Sequence, residues 1–251
     1  MRKIFKSVLL TAAMTALAVP ASAATITYTL DDVFSGALVQ GSVSVTLTDI
    51  TGGVEASFNA SNLTLATEFV TEWDLNLDPS FNQAYLDTLV FNYVSGIQAD
   101  SVDATVNGYK ADGDGDYDIG FVFPSANGSR LGIDGNTSVY NILGTGLDIT
   151  DFNFLDFGGT KGDFFTAAHV QGIGTCSGWV GALGPNSSVT PFTPDTNCGT
   201  VSTTTTGTPN VTTTTGTPNV TSTGNIPEPT LLSLLGVGLA VASRRMRRKT
   251  A

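Results

Sequence analysis

The sequence predicts an all-β protein in which residues 24–199 form a single antiparallel β-sandwich, jelly-roll-like in its connections. Three observations support this fold class. Short runs rich in β-branched and aromatic residues recur along the body, separated by Gly, Asn and Asp, which favour turns. The same region contains no convincing long amphipathic helix. The body is also long enough to form one domain with a hydrophobic core.

Alternation of polar and apolar residues is clearest near the start of the body. Residues 42–48 read SVSVTLT, which places Val43, Val45 and Leu47 on one face of a strand. Residues 25–30, TITYTL, follow the same pattern. One short helical turn is predicted within residues 78–86. The other strands are predicted at residues 54–58, 68–77, 88–94, 102–109, 117–123, 138–143, 152–157, 164–172 and 178–180.

The N-terminus has the three parts of a secretory signal peptide: a basic start, an apolar centre and a small-x-small cleavage site. These parts are Arg2, Lys3 and Lys6, then residues 7–19, then Ala21 and Ala23. We therefore predict that residues 1–23 are a signal peptide and that it is removed after Ala23. The alternative, an N-terminal transmembrane anchor, requires a longer apolar run.

The body is strongly acidic once the two ends of the chain are set aside. Of the 11 Lys and Arg residues, only Lys110, Arg130 and Lys161 lie within it, whereas it holds 21 of the 22 Asp and Glu residues. The formal charge of the body is therefore −18. Such a surface repels the phosphate backbone, which excludes nucleic acid as a partner.

Cys176 and Cys198 are the two cysteines of the sequence. In an exported chain this pair predicts a disulfide. The alternatives are two free thiols, which do not suit an oxidising compartment, and a metal pair, for which the sequence offers no second Cys/His pair.

Residues 200–225 form a low-complexity segment. The nonapeptide TTTTGTPNV occupies residues 203–211 and is repeated unchanged at residues 212–220. Because the segment has no charged and no aromatic residue, it cannot build a core, and we predict a disordered linker. Fully stretched, it reaches about 85 Å. Ser/Thr-rich tracts with Pro are also typical of O-glycosylated stalks.

The sharpest candidate for a binding site is an acidic run. Asp112, Asp114, Asp116 and Asp118 occupy every second position, a spacing that resembles a calcium loop. The EF-hand pattern fails, because its sixth position is Tyr117 instead of Gly and its twelfth is not Glu. Two hypotheses follow: a weak calcium site, or a Gly-Asp turn that leads into a strand. No other cofactor is predicted.

His169 is the single histidine of the sequence. General-base catalysis needs a nucleophile within reach, and a zinc protease needs paired histidines. No Gly-x-Ser-x-Gly motif is present. We therefore interpret His169 as a strand residue hydrogen-bonded to its surroundings. Trp73 and Trp179 are the two tryptophans that could stack against a sugar, which is compatible with a shallow binding site.

The C-terminus combines an apolar run with a basic end. Residues 226–243 contain one charge, Glu228, and as a helix would span roughly 27 Å, slightly less than a bilayer core of about 30 Å. Five basic residues follow, which tend to stay on the cytoplasmic side. We predict a membrane-spanning helix. The alternative is a helix of the globular domain with a solvated basic tip. The basic residues are Arg244, Arg245, Arg247, Arg248 and Lys249.

This end of the chain, residues 226–251, closely resembles the PEP-CTERM sorting signal of bacterial exosortase substrates. The resemblance rests on Pro227, Glu228 and Pro229, on the apolar run, and on Arg244 and Arg245 with the basic residues after them. It implies that a membrane exosortase recognises and removes the tail, as a GPI signal is removed. Anchoring in the membrane would then be transient, followed by release or surface attachment.

These observations predict an exported, exosortase-processed protein of the cell surface or the extracellular matrix. We expect it to be non-enzymatic and to associate with exopolysaccharide in a biofilm. The alternative is a β-sandwich carbohydrate-binding module, with or without a calcium ion. A secreted hydrolase is the third hypothesis, because 21 acidic residues offer many carboxylate pairs.

Overall fold

The structure is a computed structural model that describes residues 23–132, 134–185 and 187–198. Ala21, the apolar centre of the signal peptide, the linker at residues 200–225 and the sorting tail at residues 226–251 lie outside these residues. Within the described part of the chain, no helix is long and apolar enough to cross a membrane.

Twelve strands form the described body. They are β1 (Thr25–Leu30), β2 (Asp32–Gly36), β3 (Val43–Ile50), β4 (Gly53–Asn59), β5 (Phe69–Leu75), β6 (Val90–Gly96), β7 (Ser101–Tyr109), β8 (Tyr117–Val122), β9 (Leu131–Gly132), β10 (Thr137–Leu143), β11 (Phe164–Ile173) and β12 (Cys176–Leu183). Helix α1 spans Gln83–Leu86, and 3₁₀ turns span Ala111–Gly113 and Ile149–Phe152.

The strands form two antiparallel sheets, so the predicted all-β class is confirmed. The smaller sheet has the order β1-β3-β4-β10-β6. The larger sheet has the order β2-β12-β11-β5-β8-β7, with the short β9 paired to β5. A jelly roll has eight strands, whereas the two sheets of this body have twelve. We therefore describe the body by its strand order and not as a jelly roll.

The sheets share one core because apolar residues alternate along their strands. In β3, Val43, Val45 and Leu47 are fully buried, while the residues between them are half-exposed. Phe58 of β4 crosses between the sheets, with its ring centroid 5.1 Å from Trp73 and 4.7 Å from Phe121. Tilted aromatic pairs at this spacing stabilise a core beyond the area they bury.

The larger sheet is also covered on its outer side. Phe34, Tyr117, Phe164 and Ala167 form a second buried cluster there, with Trp179 packed against it. As a result, five of the six residues of β8 are buried. A strand covered on both faces cannot show clean alternation of buried and exposed residues.

Most strand predictions agree with the structure. The predicted strand at residues 25–30 coincides with β1, and the predicted helical turn contains α1. Strands β2 and β9 were not predicted; β9 has only two residues, and β2 contains Asp32, Ser35 and Gly36.

The prediction of a strand at residues 152–157 is wrong. The side chain of Asp148 accepts hydrogen bonds from the backbone N–H and the hydroxyl of Thr150, and the side chain of Asp151 accepts one from the backbone N–H of Asp148. This capping box starts a 3₁₀ turn that ends at the buried Phe152. Phe157 then makes only an isolated bridge to Asp116.

The predicted disulfide between Cys176 and Cys198 is present, with 5.1 Å between the two Cα atoms. It closes a loop whose last part, residues 187–198, runs along the edge of the larger sheet; we call this part the strap. The Thr190 backbone N–H donates to Lys161 O (2.7 Å), and the Asp195 backbone N–H donates to Gly36 O (3.0 Å). Few other backbone bonds hold the strap, so the disulfide fixes its end.

We expect the disulfide to be present in the exported protein and to contribute about 3 kcal/mol to the free energy of unfolding, the value for a loop of this length. Alkylation of the unreduced protein should add no label. The double variant Cys176→Ser/Cys198→Ser should unfold at lower urea concentration, and its m-value should not fall, because the unfolded chain loses the constraint of the loop. Incorporation of two labels without reduction would show that the bridge does not form.

Candidate functional site

A groove of about 730 Å³ lies where the cover of the larger sheet is incomplete. Residues of β11 and β12 line it together with the end of β2, Asp112 and, from the strap, Asp195. A second groove of about 470 Å³ adjoins it and shares Ser35, Gly36, Asp112 and Asp195. Together they form one polar channel along the strap.

An aromatic pair lies on the floor of the groove. The rings of His169 and Trp179 stack with centroids 4.8 Å apart and an interplanar angle of 13°. They are opposite residues on β11 and β12, which is why their side chains share a face. The ring centroid of Phe34, on the neighbouring strand β2, lies 6.4 Å from that of Trp179, which packs against the buried cluster around Phe34. Trp179 remains half-exposed, so part of its indole ring is open to the groove.

His169 is held in place by its neighbours. Its Nδ1 lies 3.1 Å from the hydroxyl of Thr71, and its opposite residue on β5 is Glu72. Burial lowers the pKa of His169, with the charge of Asp112 opposing that effect. The ring is therefore neutral at pH 7. This agrees with its interpretation as a hydrogen-bonded strand residue.

Asp112 and Lys161 form the charged side of the groove. The Lys161 Nζ donates to the Asp112 carboxylate (2.8 Å), to the Asp112 carbonyl (2.6 Å) and to the Ser35 hydroxyl (3.1 Å). The Ser35 hydroxyl itself donates to Asp112. The hydrogen bond from Lys161, followed by that from Ser35, lowers the pKa of Asp112.

The four aspartates of the acidic run have four separate environments. Asp112 faces the groove, and Asp116 pairs with Lys110. The buried Asp114 accepts a hydrogen bond from the Tyr117 hydroxyl (3.0 Å). Asp118 accepts hydrogen bonds from the backbone N–H groups of Leu77 (3.0 Å) and Asn107 (2.9 Å).

In the described structure, the four carboxylates have separate partners, and the run begins with a turn that leads to a strand. Residues Ala111–Gly113 form a 3₁₀ turn, and β8 begins at Tyr117. Across residues 23–132, 134–185 and 187–198, no group of three or more His, Cys, Asp or Glu side chains is placed to hold a metal ion.

Asp74, Asp114 and Asp156 are three buried carboxyl groups, each with at least one oxygen that has no hydrogen-bond partner among the described residues. Asp74 is fully buried, and neither of its carboxylate oxygens has a hydrogen-bond partner among the described residues. Asp156 accepts a hydrogen bond from Phe164 N, while its other oxygen has no partner there. Gly115 packs so closely on Asp156 that a Cβ atom would overlap the carboxylate, which explains a glycine inside the acidic run.

Burial makes these acids weak. Burial raises the pKa of Asp114 to about 6 and that of Asp156 to about 7. The charge of Asp163 raises both values further, and the charge of Asp114 also raises that of Asp156. The pKa of Asp74 is raised well above its usual range by burial and by the charge of Glu72. At pH 7, Asp74 is therefore protonated and Asp156 is protonated in part, whereas Asp114 is mostly ionised.

Sequence analysis identified Trp179, His169 and Asp112 one by one, but did not bring them together. It missed Ser35, Lys161 and Asp195 as residues of the site. The single available signal was the rarity of basic residues, which makes Lys161 conspicuous in a body of charge −18. Their proximity depends on β2, which was not predicted, and on the path of the strap.

Comparison with known proteins concerns the tail alone. A family model described as the PEP-CTERM protein-sorting motif matches residues 225–249. This match confirms the resemblance carried by Pro227, Glu228, Pro229, Arg244 and Arg245, which lie outside the described residues. No curated protein and no solved structure matches the chain.

The buried acids predict that stability falls as pH rises. The pKa values of Asp114 and Asp156 lie above the ordinary value of 3.8, so folding takes up protons between about pH 4 and pH 7. Thermal unfolding should show that Asp156→Asn loses less stability than wild type between pH 5 and pH 8. His169 has the opposite slope, because its pKa is lowered, but it is common to both proteins.

The matched control is Asp134→Asn, at an exposed turn residue, which should keep the pH dependence of wild type. Equal pH dependence in Asp156→Asn and wild type would show that Asp156 is ionised in the folded protein throughout this range.

Proposed function

Because residues 225–249 are a PEP-CTERM protein-sorting motif, we propose that this chain is a non-enzymatic surface or matrix protein that associates with exopolysaccharide. The motif itself indicates export, processing by exosortase, and a location at the cell surface or outside the cell. Association with exopolysaccharide is the step that we add. The observation that carries it is the groove with Trp179 and His169 on its floor.

The groove has the composition that a sugar chain requires. The exposed part of the Trp179 ring offers an apolar platform for the face of a sugar. Around it, Asp112, Gln171 and Asp195 present oxygen and nitrogen atoms that can bond to sugar hydroxyls. A mostly polar, open groove suits a polymer that passes through and is held at several points, rather than a small ligand that must be enclosed.

The contacts of the polar residues support binding over catalysis. The Ser35 hydroxyl donates to Asp112 and accepts from Lys161, so both interactions hold it in a charge pair. The Nδ1 of His169 is engaged with Thr71. A nucleophile would need a base directed at its hydroxyl, and Lys161 is a poor base while it is bonded to the Asp112 carboxylate.

A dedicated carbohydrate-binding module is the second candidate, and the same groove favours it. The two candidates differ in whether sugar binding is the purpose of the protein or only retains it in the matrix. The third hypothesis, a hydrolase, would place two carboxylates across the groove from each other at a glycosidase spacing. Asp112 is committed to Lys161, which makes it a poor general acid.

The sorting tail acts through two physical properties. Pro227 and Pro229 cannot donate backbone hydrogen bonds and fit a helix only within its first turn, so we expect a membrane helix not to extend upstream of them. Extended backbone then remains at the outer interface, where a protease can bind it. On the other side, the basic cluster opposes translocation of the end of the chain. A span close to the minimum length suits an anchor that is used only until cleavage.

Replacement of Pro227, Glu228 and Pro229 by Ala should block processing. The helix would extend toward the outer surface and remove the segment that exosortase binds. We expect an uncleaved precursor, retained in the membrane fraction and heavier than the mature protein by the mass of the tail. An immunoblot of membrane and released fractions measures this outcome.

The control is a strain that lacks exosortase, in which the wild-type protein should behave like the triple-Ala variant. If wild type, the variant and this strain give bands of the same mobility and distribution, the tail is a plain anchor, and the processing step does not occur.

For the groove, Trp179→Ala should weaken binding of the exported protein to exopolysaccharide purified from the same cells by about tenfold. Trp179→Phe should retain part of the affinity, because an aromatic platform remains. The matched control is Phe157→Ala, which removes an aromatic ring that is 78% exposed and lies outside the groove. Equal affinity of wild type and Trp179→Ala would remove the groove from the proposal.

A further inference from the structure

The larger groove of the channel carries negative charge and no positive charge. Two of the residues that line it, Asp112 and Asp195, are acidic, and none is Lys or Arg. The histidine on its floor, His169, is neutral at pH 7, because burial lowers the pKa of the ring. At this pH, a sugar chain in the larger groove therefore contacts carboxylates and uncharged groups.

The one basic residue that lines the adjoining groove, Lys161, is already paired. Its ammonium group donates to the carboxylate of Asp112 (2.8 Å), to the backbone carbonyl of the same residue (2.6 Å) and to the hydroxyl of Ser35 (3.1 Å). An ammonium group has three N–H donors, so these three hydrogen bonds use all of them. Lys161 therefore has no donor left for a carboxylate or sulfate group of a sugar.

The other two basic residues of the body are engaged away from the channel. Lys110 pairs with Asp116. The guanidinium group of Arg130 lies 3.9 Å from the ring centroid of Phe69, and its Nε donates to the carbonyl of Ser125 (2.6 Å). Neither basic residue lines the two grooves. An anionic polysaccharide would therefore approach a body of formal charge −18 and find no available cation in the channel.

Asp195 is the carboxylate of the channel that remains for a ligand. It is exposed on the strap and lines both grooves. Its backbone N–H donates to Gly36 O (3.0 Å), which holds the residue beside the channel. Its side chain makes no salt bridge with any residue that the structure describes. The carboxylate of Asp112 differs, because it is shared by Lys161 and Ser35.

We propose that the channel selects a polysaccharide that bears free amino groups, such as a chain of glucosamine units. This inference rests on the proposed function, because it names the chemical class of the polymer that the same groove would bind. The ammonium group of such a sugar pairs with the carboxylate of Asp195, and the sugar ring stacks on the exposed part of Trp179. The face of an indole ring also attracts a cation.

The charge of the whole body acts in the same direction. A net charge of −18 attracts a polycation and repels a polyanion before contact is made. Several ammonium groups along one chain would add to this attraction. An N-acetylated chain has the same sugar rings without the charges, so a comparison of the two chains isolates the electrostatic part of binding. That part should weaken as salt is added, because salt screens exposed charges.

Titration calorimetry of the mature protein, purified from the cells that export it, tests this selection. The probes are oligomers of glucosamine, of N-acetylglucosamine and of galacturonate, matched in length. A mildly acidic buffer keeps the sugar amines protonated, and EDTA removes divalent cations that could bridge two carboxylates. We expect the glucosamine oligomer to bind about tenfold more tightly than the N-acetylated one. The galacturonate oligomer should bind more weakly than either, and added salt should weaken the binding of the glucosamine oligomer most.

Two substitutions assign the selection to the channel. Asp195→Asn removes the charge and keeps the backbone bond to Gly36, so the affinity for the glucosamine oligomer should fall about threefold, the value of an exposed ion pair, while that for the N-acetylated oligomer stays unchanged. The matched control is Asp100→Asn, an exposed residue that lines neither groove, which should leave both affinities unchanged. Trp179→Ala should weaken the binding of both oligomers.

Three results would overturn the selection: equal affinity for the glucosamine and N-acetylglucosamine oligomers, tightest binding of the galacturonate oligomer, or the same affinity for the glucosamine oligomer in Asp195→Asn and Asp100→Asn. Equal affinities that both fall in Trp179→Ala would reject the amino-sugar class and leave sugar binding by the groove intact. If neither these oligomers nor the exopolysaccharide of the same cells binds, the proposed function fails together with this inference.

Discussion

The larger sheet must be covered on both faces, and most features of this protein follow from that constraint. β5 and β11 lie at its centre, and most of their residues are buried. The smaller sheet covers the inner face through the core around Phe58. Within the described residues, no second sheet packs on the outer face. Side chains, turns and the strap cover that face instead. The groove lies where that cover ends.

Covering a polar face with apolar side chains creates an electrostatic cost. Residues on β5 that point outward include Glu72 and Asp74, and the outer cluster removes Asp74 from water. Such a carboxyl group is stable only if it is protonated or hydrogen-bonded. The buried polar groups next to this carboxyl group are hydrogen-bonded. The Trp73 indole N–H donates to Thr166 Oγ1 (2.8 Å), and the Thr166 hydroxyl donates to the backbone carbonyl of Asp74 (2.6 Å). The hydroxyl of Thr166 and the backbone carbonyl of Asp74 therefore have hydrogen-bond partners. The side-chain carboxyl group of Asp74 has none among the described residues, and its raised pKa keeps it protonated and uncharged.

The sequence predicted the smaller sheet better than the larger one, for a physical reason. Strands with one solvated face alternate clearly, as β1 and β3 do, and alternation is the signal that sequence analysis detects. Strands of the larger sheet have two buried faces, so their boundaries rest on composition alone. At residues 152–157, aromatic residues suggested a strand, but the capping box of Asp148 and Asp151 was the stronger local signal.

The site was predictable only in parts. Cys176 and Cys198 could be paired because the exported chain has no other cysteine. The tail could be identified because its three elements are contiguous in sequence. The groove combines residues from β2, the acidic run, β11, β12 and the strap, which are separated by more than 150 residues of chain between Ser35 and Asp195. Nothing local in the sequence encodes that juxtaposition.

The disulfide links the groove to the segment of chain that leads into the predicted linker. Cys176 lines the groove, and Cys198 is the last described residue before the predicted linker. Tension applied to the linker would be transmitted from Cys198 through the disulfide to Cys176, at the start of β12. The strap is held mainly by single hydrogen bonds, which would break first without the bridge. A protein held at its C-terminal end can therefore bear load while the strap keeps its place beside the groove. That arrangement would let attachment and sugar binding operate on the same molecule at once.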